Sequence, residues 1–116
     1  MGASSAQASE RRRHRRVPIS VIIDYETADQ FFRDYALNLS LGGIYVRTSE
    51  VFPVGSRLKI HFSFPEYDDF IDGWATVVRV DDEEGEEGVP GMAIQFDELD
   101  ANAKSIIDDV VRASLS

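Results

Sequence analysis

Five arginines stand closest to chemistry in this chain: Arg11, Arg12, Arg13, Arg15 and Arg16, with His14 among them. A guanidinium is planar and permanently charged. Its fork of N–H donors matches two phosphate oxygens or the O6/N7 edge of guanine, and its plane stacks on a base. The run therefore suits an anion that carries phosphates and purines. It also suits a plain basic tail that touches polyanions without selection, and composition leaves both readings open. The second group is Asn38-Leu39-Ser40-Leu41-Gly42-Gly43. In an extended strand Asn38 and Ser40 project from one face, opposite Leu37 and Leu39. If the leucines face a core, the amide and the hydroxyl face outward. Gly43 allows a sharp turn or the close approach of a ligand. An ordinary strand end with a glycine turn has the same residues.

Other chemistries find few residues. There is no cysteine, which excludes disulfides, thiolate metal sites and cysteine nucleophiles within the chain. The two histidines, His14 and His61, lack a second histidine at metal-ligand spacing. His61 shares the polar side of a strand with Arg57 and Lys59 and is expected to be solvated. No Gly-x-Ser-x-Gly elbow and no Walker loop occurs. The acids gather at 66–72 and 81–87, as solvated loops do, and the spacing at 81–87 does not match an EF-hand. No enzyme activity, metal or cofactor is expected.

Charge is unevenly placed. Residues 1–16 hold the five arginines and one acid, Glu10, whereas residues 17–116 hold seven basic and twenty acidic groups. A +4 segment thus precedes a −13 body. Such a body repels a nucleic-acid polymer, but a small anion held by a local arginine cluster remains compatible with it. No apolar run approaches a membrane span, and the N-terminus has no apolar signal region. Ala6 stands where a myristoylation signal needs Ser or Thr. The expectation is a cytoplasmic protein without membrane attachment.

Length and pattern supply the elements that must position these groups. The chain has 116 residues, 43% hydrophobic and 28% charged, which are the values of one small globular domain. Residues 1–9 are small and polar and are expected to be a disordered tail ahead of a domain over 10–116. Period-two alternation then predicts strands. Ile19, Val21, Ile23 and Tyr25 share a face. Tyr35, Leu37 and Leu39 share another, with Ala36, Asn38 and Ser40 opposite, in a strand opening at Phe32. Ile44, Val46 and Thr48 alternate with Tyr45 and Arg47. Leu58, Ile60, Phe62 and Phe64 follow the Pro53-Val54-Gly55 turn. A fifth strand covers 71–80 around Trp74, and Met92, Ile94 and Phe96 mark a sixth. The period then changes. Asp100 is placed to cap a helix whose stripe is Ile106, Ile107, Val110 and Val111, ending near Ser114. The pattern predicts an all-β antiparallel barrel with one amphipathic C-terminal helix.

Arg12-x-x-x-Arg16 ahead of the first strand, with Asn38-x-Ser40-x-x-Gly43 at the end of the second, resembles the signature of the PilZ domain. Arg16-Val17-Pro18, Gly43-Ile44-Tyr45-Val46, Pro53-x-Gly55 and Gly91-Met92-Ala93-Ile94-Gln95-Phe96 resemble its flanking segments, so the likeness runs from residue 10 to about 112. The resemblance implies a split, Greek-key barrel of six antiparallel strands and a C-terminal α-helix. It also implies a bacterial receptor for the second messenger cyclic di-GMP. Arg12 and Arg16 would grip phosphates and guanine edges, and Asn38, Ser40 and Gly43 would contact the guanine from the outer surface. One or two ligand molecules are expected. Arg11, Arg13, Arg15 and Arg79 are candidates for further contacts, Arg79 standing where family members often carry an aromatic. Arg11-x-x-x-Arg15 fits the first motif too, but only Arg16 directly precedes Val17-Pro18. Ligand is expected to order the N-terminal segment and so alter the binding of a protein partner. The alternative is a PilZ-like adaptor that binds its partner without nucleotide.

Overall fold

The computed structural model describes residues 16–27, 30–85 and 88–115. Arg11, Arg12, Arg13 and Arg15, and the tail expected over 1–9, lie outside the described residues. Six strands run in chain order: β1 (Val17–Glu26), β2 (Phe31–Leu39), β3 (Gly43–Arg47), β4 (Arg57–Phe62), β5 (Ile71–Asp81) and β6 (Gly91–Leu99). Helix α1 (Ala101–Leu115) follows. The strands close into a barrel in the order β1-β2-β3-β6-β5-β4, and β4 pairs back onto β1. Every pairing is antiparallel. The neighbours β4-β1-β2-β3 make a Greek key.

Alternation builds the core. Ile23 and Tyr25 on β1, Leu58, Ile60 and Phe62 on β4, and Met92 and Ile94 on β6 are all buried. Each such side chain contributes about 1.5–3 kcal/mol relative to exposure. Between β3 and β4 the chain turns at Pro53-Val54-Gly55, where Gly55 takes φ +97° and the Ser56 N–H donates to Pro53 O at 3.0 Å. That backbone angle favours glycine. Helix α1 starts as expected: Asp100 Oδ1 accepts from the Ala103 N–H at 2.7 Å. Its buried stripe of Ala103, Ile106, Ile107 and Val111 joins the barrel core, and the helix packs against β1.

Besides a register shift between Pro18 and Val21 on β1, regular alternation or pairing breaks on β2, β3 and β5. On β2 the sequence expectation puts Tyr35 inward and Ala36 outward. Instead Ala36 is fully buried and Tyr35 is 51% exposed. A register shift between Ala36 and Asn38 inserts a bulge, after which Leu39 points inward as expected. One extra residue exchanges the faces, so the stretch before the bulge reads with the opposite parity. On β3, Tyr45 faces away from Ile44 and Val46 yet is fully buried. Its hydroxyl donates to Val89 O at 2.7 Å, and the Arg79 guanidinium lies 6.0 Å from its ring. On β5, register shifts fall at Trp74/Ala75 and Val77/Arg79. His61 is also not simply solvated: its Nδ1 meets Asp72 Oδ1, and its ring stacks on Phe70 at 4.4 Å.

Candidate ligand-binding cleft

Arg16 enters the site because β1 begins one residue later. Pairing of Val17 with Leu39 and Pro18 with Asn38 lays the start of β1 along the end of β2. Arg16 Nη1 donates to Asn38 Oδ1 there. The Asn38 side of this contact depends on the β2 bulge, which leaves Leu39 in the core and Asn38 covered on the outer side. The two sequence motifs thus meet across twenty-two residues of chain.

Ser40 and Gly43 form the next piece. The Ser40 hydroxyl oxygen accepts from the N–H groups of Gly42 and Gly43, each at 3.2 Å, and the Ser40 N–H donates to Gly43 O at 2.9 Å. Ser40 is therefore the builder of the turn between β2 and β3 and is itself buried. The Phe96 N–H donates to Gly42 O at 2.9 Å, which ties the turn to β6. Gly43 does not take a positive φ. Its lack of a side chain matters for another reason: a Cβ there would lie 2.3 Å from Ile94 O on β6. The close approach at Gly43 is that of a neighbouring strand.

Arg79 comes from β5. Its Nε donates to Asp81 Oδ1 at 2.8 Å, and its guanidinium rests over the Tyr45 ring. Both contacts hold a charged plane in place on the outside of the barrel. The register shift beside Val78 turns the strand at this point.

These segments surround one cleft of about 510 Å³. Arg16, Ser40, Gly42 and Gly43 line one side, Val78 and Arg79 line another, and Ala93 to Phe96 of β6 lie between them. Of the expected site residues, Arg16, Ser40, Gly43 and Arg79 line the cleft directly, and Asn38 reaches it through Arg16. Val78 and Gln95 were not anticipated from the sequence. The alternation of β6 offered a signal for Gln95, since it puts that residue opposite Ile94. Two guanidiniums beside a glycine turn equip the cleft for an anion with planar groups. Among the described residues, no group of three or more His, Asp or Glu side chains is arranged to hold a metal ion. Likewise, no helix among them is long and apolar enough to cross a membrane.

A closed antiparallel barrel with a terminal helix and an arginine-flanked outer cleft defines a binding fold. The family model for the PilZ domain matches residues 10–113, and the chain belongs to that family. Among solved structures, the chain is similar to the Bacillus subtilis inhibitor of motility MotI/DgrA, with TM-score 0.75 and 21% identity over 90% of this chain and 51% of that one. It spans about half the length of MotI/DgrA. It is also similar to the PilZ domain of YcgR from Escherichia coli, solved with c-di-GMP, with TM-score 0.70 and 16% identity over 90% of this chain and 91% of that one. At these identities the likeness is one of fold. No curated protein matches the chain.

Proposed function

We propose that this chain is a receptor for cyclic di-GMP that acts on a protein partner. The observation that carries the reading is the meeting of Arg16, Asn38, Ser40, Gly43 and Arg79 around one outer cleft, from segments far apart in sequence. The structure of the YcgR PilZ domain with c-di-GMP supports the choice of ligand. The ligand has two phosphates and two guanines, the groups that arginine forks and planes recognise. In this reading Arg16 and Arg12 clamp phosphate and guanine edges, and the Ser40 turn presents glycine backbone to the base. Arg79 supplies a plane at the far side, and Arg11, Arg13 and Arg15 add charge for a second ligand molecule. The ligand neutralises mutual repulsion within the arginine run and draws it against the barrel. The altered surface is what a partner protein reads.

The test is a titration of labelled cyclic di-GMP against wild type, Arg16→Ala and Arg79→Ala. Arg16→Ala is expected to lose binding while its melting temperature stays within a degree or two of wild type, because Arg16 is exposed and outside the core. Arg79→Ala is expected to weaken binding by a smaller factor. Wild-type affinity in Arg16→Ala would remove that residue from the site.

A further inference from the structure

We infer that the outer face of β1 and β2 is a self-association surface that takes a second copy of this chain. Large apolar side chains more than half exposed cluster here. They are Ile22 at 52%, Phe31 at 59%, Tyr35 at 51% and Phe70 at 58%, while Val54 at 64% stands apart. Ile22 and Tyr35 are directly opposed across the β1–β2 ladder, and Phe31 is on the same side of β2. Phe70 extends the patch past β4 through its stack on His61, which lies across from Asp24. The paired Arg33 and Asp24 lie between Ile22/Tyr35 and Phe31, so exposed apolar side chains flank a charge-paired centre, a mixture that suits a contact surface.

Charge selects the occupant. The −13 body makes two copies repel over most of their surface. Along the strands of this face Arg33, Arg47 and Lys59 match Asp24, Glu26 and Asp72 in number, and Asp68 and Asp69 stand only at its Phe70 margin. Arg33 is committed to Asp24, with N···O distances of 2.7 and 3.2 Å. Among the described residues the Arg47 and Glu26 side chains have no hydrogen bond or ion pair. They stand at opposite corners, Arg47 across from Tyr35 and Glu26 across from Phe31. A two-fold contact needs one patch that presents both signs, and this patch does. A strongly basic partner would favour the acidic surface elsewhere. The surface shares no residue with the lining of the cleft, so the inference does not depend on nucleotide binding.

Sedimentation of the full chain without nucleotide, from low micromolar to near-millimolar concentration, tests it. A reversible monomer–dimer equilibrium is expected, tightened by added salt, because screening removes net repulsion between acidic bodies. Ile22→Lys with Phe31→Lys should raise the dissociation constant at least tenfold, and Val54→Lys should leave it unchanged. Arg47→Glu should weaken the dimer, and adding Glu26→Arg should restore it. A monomer at every concentration would overturn the inference. So would a dimer indifferent to Phe31→Lys. A dimer that dissolves in salt would assign the contact to the arginine run on a neighbouring acidic body instead.

Discussion

Ser40 shows how one residue carries two meanings. The resemblance assigns its hydroxyl to the ligand, whereas the structure gives that oxygen to the N–H groups of Gly42 and Gly43. Ser40→Ala is therefore expected to lower stability by about 1 kcal/mol and to weaken cyclic di-GMP binding by a similar amount, as the turn loosens. Thermal melts beside titrations check this. Weaker binding at unchanged stability would put the hydroxyl on the ligand itself. Asp24 supplies a pH prediction away from the cleft. Its hydrogen bond to Arg33, with the attraction of that charge, holds its carboxyl below the usual value of 3.8. A depressed folded-state pKa gives stability that is present above the unfolded value and lost as pH falls through the folded one. The melting temperature should drop on acidification below pH ~4, and Arg33→Ala should flatten that part of the profile. Equal acid sensitivity in wild type and variant would contradict the pairing. Tyr25 moves the other way: burial first, then its bond to Asp34 at 2.5 Å, holds the phenol protonated well above its ordinary range.

Gly43 matters through the elements it lets meet. β3 and β6 pair from Gly43↔Gln95 to Arg47↔Gly91, and together they form the floor of the cleft. A methyl group at Gly43 would strike the Ile94 carbonyl at 2.3 Å, and backbone cannot step aside as a side chain can. Gly43→Ala is expected to cost about 1–3 kcal/mol of stability and to distort the cleft, in contrast to Arg16→Ala. Denaturant unfolding measures this, and a wild-type midpoint would contradict it. Strand alternation was legible wherever the ladders are regular. β4 follows period two throughout, β1 keeps it despite a register shift between Pro18 and Val21, and Asp100 caps α1 as its side chain suggests. What could not be read were the bulges. A register shift leaves no mark on composition, so alternation alone exchanges the faces of Tyr35 and Ala36. Tyr45 was unreadable for a related reason: its cover comes from Val89 and Arg79, which only the barrel brings near. The family was legible from the order and spacing of the two motifs, and its model matches residues 10–113. The contact between Arg16 and Asn38 follows from pairing β1 with β2, which the sequence does not state.

The whole molecule is an acidic barrel with an arginine-flanked cleft, and in the proposed reading this charge division sets selectivity. The −13 body disfavours long polyanions, while Arg16 and Arg79 at the cleft, with the run before Arg16, favour a compact one. Closure of the sheet leaves the cleft on strands, so binding need not reorganise the barrel. The affinity should therefore weaken with salt, as phosphate recognition by arginine requires, yet retain preference for the cyclic dinucleotide over GTP. Isothermal titration calorimetry of the intact chain with cyclic di-GMP, with GTP as control, tests the central claim most directly. Saturable binding in the micromolar range or tighter, absent with GTP, is the expected result, and a stoichiometry near two would bring Arg11, Arg13 and Arg15 into the site. No binding of cyclic di-GMP by calorimetry and by a second method would contradict the account and leave an adaptor that works without nucleotide.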